Sequence, residues 1–230
     1  MNSALIVFAK RPEPGAVKTR LTTALTPEEA ARLYEAFLRD ALRQYTALDV
    51  EVRLYFGPPA GPVADGLIPD GVTVHLQQGP GLGARMEVAF VESFAAGYER
   101  LVVIGTDHPT LPSAYIEQAF AALEKPRAIA IGPSDDGGFY LLGMNDFYPE
   151  LFHDMRYSHD GVFQQTLDRA ARLDAHLTIL PPWYDVDTPD MLQRLVADLN
   201  DPAVEAPNTR RVVADLLTPY PTLVDDGNSV

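Results

Sequence analysis

Residues 5–45, LIVFAKRPEPGAVKTRLTTALTPEEAARLYEAFLRDALRQY, contain one full repeat unit of an α/β architecture. The unit opens with an apolar run at 5–8, short enough for a strand and too short for a helix. A loop rich in proline and glycine follows. Thr26-Pro27-Glu28-Glu29 then marks a helix start. The threonine side chain suits the cap, the proline sits where its missing N–H costs nothing, and Glu29 reaches back to the cap backbone. Apolar residues recur at helical spacing from there to Tyr45.

Outward from this unit the same alternation continues. Short runs at 50–56, 72–76, 101–104, 128–131, 139–142 and 177–180 read as strands, and 83–98, 113–124, 160–173 and 189–199 read as helices. Such alternation predicts an α/β domain, a Rossmann-like, mixed but mostly parallel sheet with helices on both faces. Neither a repeat nor a linker interrupts residues 1–200, so they are expected to form a single domain. Asn200-Asp201-Pro202 breaks the last long helix. Residues 201–230 then read as an extension, with a short helix at 210–217 and a flexible tail from 218.

Composition narrows the function classes. The 230 residues are 47% hydrophobic and 22% charged, ordinary for a soluble globular protein. A net charge of -14 repels nucleic acid and anionic membranes. Without cysteine there is no disulfide framework, thiolate zinc site or catalytic thiol. The opening apolar run is too short for a signal peptide or membrane span, so a cytoplasmic protein is expected.

In open α/β sheets ligands bind beyond the carboxyl ends of the strands, so polar residues just after strands are the candidates. Lys10, Arg11, Lys18 and Arg20 fall within eleven positions after the first strand of an otherwise acidic chain. Charge alone would fit a solvated loop, but Pro12, Pro14 and Gly15 fix its path and favour a phosphate site. Its spacing is not that of a P-loop. Residues 77–86, QQGPGLGARM, alternate glycines ahead of a helix, which lets backbone approach an anionic or flat ligand.

Asp107 closes the apolar run 101–104 and suits a hard divalent cation, whereas His108 beside Pro109 reads as structural. Asp135-Asp136-Gly137-Gly138 and Asp185-Val186-Asp187-Thr188-Pro189 follow two other strands. Asp187 taken alone reads as a helix cap. Carboxylates from different strand ends can nevertheless share one Mg²⁺ or Mn²⁺.

In this order the motifs FAKRPEPGAVKTRL, QGPGLGARM, IGTDHPTLP, GPSDDGGFYLLG and DVDTPDML resemble a bacterial family of GT-A-like glycosyltransferases. That family is a branch of the nucleotide-diphospho-sugar transferase superfamily, formerly a domain of unknown function and in part linked to arsenosugar biosynthesis. The resemblance spans residues 5–199. It implies a GT-A fold and a metal-dependent transferase using a nucleotide-activated donor, with glycosyl transfer from a nucleotide-diphospho-sugar to a small acceptor.

The resemblance further implies Mg²⁺ or Mn²⁺ held by Asp107 with Asp187, and phosphate contacts from Lys10, Lys18 and Arg20. It places Gln77, Gly81 and Arg85 at the nucleotide and Asp136, Gly137 and Gly138 at the acceptor. Asp107, Asp136 and Lys18 would be the catalytic set. One departure stands out: such enzymes usually carry an Asp-x-Asp metal motif, whereas Thr106-Asp107-His108 supplies a single Asp. The same motifs resemble nucleotidyltransferases that join a nucleoside triphosphate to a phosphorylated small molecule with release of pyrophosphate. A catalytically silent nucleotide-binding protein is the third reading.

Overall fold

In the computed structural model, residues 2–157 and 159–217 are described; the expected tail from 218 lies outside them. The strands are β1 (Ser3–Ala9), β2 (Glu51–Phe56), β3 (Thr73–Leu76), β4 (Arg100–Ile104), β5 (Ala128–Pro133), β6 (Phe139–Met144) and β7 (His176–Ile179). They form one sheet in the order β3-β2-β1-β4-β6-β5-β7. Every pairing is parallel except those of β6, which runs antiparallel to both β4 and β5. The sheet is therefore mixed but mostly parallel.

Among the described residues six α-helices accompany it: α1 (Pro27–Tyr45), α2 (Leu82–Ala95), α3 (Ser113–Ala122), α4 (Val162–Ala170), α5 (Pro189–Asp198) and α6 (Pro207–Leu217). The strands alternate their faces. Leu5, Val7 and Ala9 point to the core shared with Leu38 and Leu42 of α1 and Ile116 of α3. Ala4 and Ile6 point the other way, toward Met86 and Phe90 of α2. Burying each such Leu, Ile or Phe contributes roughly 1.5–3 kcal/mol, so both faces of the sheet hold their helices through apolar contact.

α1 has a second apolar side. Leu33 and Phe37 pack with Val17, Leu21, Leu195 of α5 and Val212 of α6 in a third core. Its start is as the sequence predicts: the Thr26 side chain accepts from Glu29 N–H, and Glu29 reciprocates at the cap backbone. Asp40, buried on α1, accepts from the backbone N–H groups of Asn208 and Thr209. A carboxylate of α1 thus satisfies two orphan donors in the first turn of α6 and pins that helix to the domain. Among the described residues no helix is long and apolar enough to cross a membrane.

Candidate functional site

The carboxyl ends of the parallel strands converge with the N-terminal end of β6 on a single edge, as the antiparallel direction of β6 requires. A cleft of about 920 Å³ opens along that edge. Lys10, Lys18, Arg20, Gln77, Arg85, Asp107, Asp136, Gly138 and Asp187, all expected from the sequence, line it. Gly81 stands just outside the lining as the N-cap of α2, with no side chain capping that helix end. Gly137 lies beneath the lining in the turn between β5 and β6, with φ 85°.

The centre of the cleft is a charge cluster. Lys18 has a left-handed backbone (φ 48°, ψ 37°) as the residue before a 3-10 turn at Thr19–Thr23. This conformation turns its side chain inward, where only 2% of it is exposed. Its ammonium lies against Asp107 Oδ1 and 2.9 Å from Asp187 Oδ1. Beneath it lie the rings of Phe37 and Tyr34, with centroids at 5.5 and 5.8 Å. Burial disfavours the ammonium charge, but Asp107 and Asp187 outweigh that effect and hold its pKa above the ordinary lysine value. Arg20 pairs with the other oxygen of Asp187.

The Tyr34 hydroxyl accepts from Lys10 N–H at 2.9 Å and meets Thr106 Oγ1 at 2.9 Å. Burial and the nearby Asp107 charge push its pKa up to about 12, so it remains a neutral hydrogen-bonding group.

Asp187 reaches this cluster because the chain after β7 doubles back over the sheet edge. Trp183 N–H donates to Pro133 O, Asp135 N–H to Trp183 O and Val186 N–H to Asp107 O. Val186 is buried between Asp185 and Asp187, and both of these carboxylates line the cleft. Asp185 accepts from Ser134 Oγ at 3.1 Å, and His108 Nδ1 lies 3.4 Å from its other oxygen. Burial pushes the Asp185 pKa up, yet His108, Lys18 and Ser134 together pull it below the ordinary aspartate value.

The flanks differ. Arg11 donates to the carbonyls of Gly57, Pro59 and Gly61 and lies 4.9 Å above the Phe56 ring. Its charge therefore clamps the loop after β2. Gln77 Nε2 donates to Tyr55 O at 2.9 Å, which fixes the amide and leaves Oε1 beside Arg85 Nη1 at 3.5 Å. On the far flank Asp136 Oδ1 accepts from Gly138 N–H at 2.9 Å.

Two glycine notches seat a strap carrying Tyr157, His159 and Asp160. A Cβ on Gly83 would stand 2.5 Å from the Tyr157 ring, and one on Gly137 would stand 2.1 Å from Asp160 O. The strap therefore runs from the start of α2 to the β5–β6 turn.

A model of the family described as uncharacterized protein conserved in bacteria (DUF2064) matches residues 40–159. The chain belongs to this family. A protein of Desulfovibrio desulfuricans, proposed to be a nucleotide-diphospho-sugar transferase, is 32% identical over 96% of this chain and 99% of its own, with a TM-score of 0.87. The fold also recurs in a Mycobacterium tuberculosis protein solved with manganese, 20% identical over 86% of this chain and 98% of that one, TM-score 0.50. It recurs again in CMP:2-keto-3-deoxy-manno-octonic acid synthetase complexed with CTP, 11% identical over 86% of this chain and 98% of that one, TM-score 0.53. No curated protein matches the sequence.

Several lining residues fall outside the expected set: Asp185, His108, Tyr157, His159 and Asp160. The signal for the first is its place two residues before Asp187 in the same segment after a strand. Nothing local marks the strap, whose place is set by glycines far away in the chain.

Proposed function

We propose that this DUF2064 protein is a nucleotide-using transferase that moves a glycosyl group from a nucleotide-diphospho-sugar to a hydroxyl of a small acceptor. The observation that carries the reading is the central cluster. Two carboxylates from separate strand ends grip one ammonium, and Lys10, Arg20 and Arg85 stand beside it in the same cleft. Anionic phosphates need such a cationic flank, and the carboxylates provide hard oxygen donors beside it.

The fit to a divalent cation follows from the donor set. Among the described residues no three acidic or histidine side chains gather closely enough to hold an ion unaided. Asp107 and Asp187 are nonetheless brought together by one positive charge, and a Mg²⁺- or Mn²⁺-type ion commonly completes its shell with water and substrate phosphates. Asp107 and Asp187 would hold the ion, with Asp185 beside them. When bound, the ion neutralises charge on the departing diphosphate.

The protein's own groups do the rest. Lys10, Lys18 and Arg20 bind the phosphates, while Gln77, Gly81 and Arg85 orient the nucleotide. In the transfer the anomeric C–O bond to the diphosphate breaks and its electron pair leaves with the phosphate oxygen. The acceptor oxygen bonds to the anomeric carbon and gives its proton to Asp136.

Calorimetric titration with matched nucleoside di- and triphosphates in Mn²⁺ tests this function. The diphosphate should bind at least as tightly as the triphosphate, because it is the leaving group. Asp107→Asn should lose at least tenfold in metal-dependent affinity while keeping the fold. The density of cations in the N-terminal loop favours a second reading, nucleotidyl transfer from a triphosphate. A triphosphate preference with pyrophosphate release from a sugar phosphate would establish that reading instead.

A further inference from the structure

The walls of the cleft divide by charge. Every Lys and Arg that lines it (Lys10, Arg11, Lys18, Arg20 and Arg85) comes from the segment between β1 and α1 or from the first turn of α2, and Glu13 is the one acid these stretches add to the lining. The wall built from β4 onward carries Asp107, Asp136, Asp160, Asp185 and Asp187, and among the described residues no Lys or Arg. Three of these charges are answered within the site. Lys18 meets Asp107, Lys18 and Arg20 meet Asp187, and His108 and Ser134 meet Asp185. Asp136 and Asp160 have no cationic partner among the described residues, and Asp136 accepts only the Gly138 N–H.

From this partition we infer that the acceptor is an uncharged polyhydroxylated molecule, free of phosphate and carboxylate; the inference rests on the glycosyl-transfer reading. A phosphorylated acceptor would bring its charge against Asp136 and Asp160, neither of which has a cationic partner among the described residues. A hydroxyl, in contrast, can donate to either carboxylate.

An independent observation agrees. His108 Nδ1 is buried on the same wall without a well-formed hydrogen bond, 3.4 Å from Asp185 Oδ1. A hydroxyl can satisfy that nitrogen in either tautomer, whereas a phosphate dianion can only accept. The rings of Phe139, Tyr140 and Tyr157 add flat apolar surface beside the carboxylates, which suits the C–H faces of a polyol. Strap and β5–β6 turn touch through Gly137, and Asp136 and Asp160 both line the cleft.

The test titrates the full-length protein, in Mn²⁺ with and without nucleoside diphosphate, against matched pairs: glycerol and glycerol 3-phosphate, glucose and glucose 6-phosphate. Ethanolamine serves as the cationic control, and saturation-transfer NMR reads binding. The neutral member of each pair should bind at least tenfold more tightly than its phosphorylated partner. Asp160→Lys should reverse that order and Asp160→Asn should narrow it, with diphosphate affinity unchanged in both.

Equal or tighter binding of a phosphorylated member overturns the inference, as does tighter binding of ethanolamine or no binding of either pair. The donor reading is judged separately by the diphosphate titration. If diphosphates bind and glycerol 3-phosphate still wins, the acceptor assignment alone is wrong. If no diphosphate binds in Mn²⁺, the glycosyl-transfer reading itself fails.

Discussion

The half of the sheet formed by β3, β2 and β1 is purely parallel, and its site residues stand in the loops that directly follow its strands or in the first turn after them. The half formed by β6, β5 and β7 contains the reversed strand, and two of its carboxylates arrive on a segment that crosses back over β4. The first half is cationic and locally built; the second is anionic and assembled over long distances in sequence. The two meet at Lys18, which belongs to the first half and is held by Asp187 of the second and by Asp107, which follows β4 between them. A single ion cluster therefore joins the halves mechanically as well as chemically.

Removing that junction should have the largest effect. Lys18→Met leaves Asp107 and Asp187 facing each other with only Arg20 to compensate. Stripping one partner from a buried pair costs about 3–5 kcal/mol, and the low end applies because both carboxylates are partly open to water. A fall of roughly 10 °C in the unfolding midpoint is expected, read by calorimetry. Mn²⁺ should raise the midpoint of the variant more than that of the wild type, since the ion can take over the role of the missing ammonium. An unchanged midpoint would mean that the halves are not joined there.

Arg11→Ala probes the cationic half alone. Three carbonyls of the loop after β2 lose their clamp, so diphosphate affinity should fall about tenfold by calorimetry, while stability changes by only about 1 kcal/mol. Loss of stability without loss of affinity would separate that loop from the nucleotide.

The smallest effect belongs to the anionic half and is confined to acid. The folded pKa of Asp185 lies below its ordinary value of 3.8, so its stabilising contribution is fully present above that value. It is lost as pH falls through the depressed folded value. Wild type and Asp185→Asn should therefore differ in urea stability at pH 7, and the difference should shrink as pH falls below 3.8 and vanish only below the depressed folded value. A difference that persists at low pH would assign Asp185 a packing role rather than a charged one.

The same contrast explains what could be read from the chain. The seven strands and six α-helices of the described residues are visible in local periodicity and caps, because those signals need no distant partner. The fourth helix is shorter than the expected 160–173, spanning Val162–Ala170, since the residues before it belong to the strap and those after it turn toward β7. Lys10, Arg20, Gln77, Arg85 and Asp107 each follow a strand and were legible as candidates. What stayed hidden is tertiary: the reversal of β6, the return of Asp185 beside His108, and the strap seated on Gly83 and Gly137. Arg11 was legible as a charge but not as a clamp, because its carbonyl partners lie some fifty residues away.

The backbone of Lys18 adds an evolutionary dimension. At φ 48° the main chain there suits glycine or asparagine, and a long side chain adds about 1 kcal/mol of strain. No glycine can supply the ammonium that the two aspartates hold. Folding and chemistry therefore select different residues at one position, and a lineage freed from the chemistry should drift to glycine or asparagine there. Position 18 is in this sense a record of whether a relative still depends on the site, a stability–function trade-off carried by one side chain.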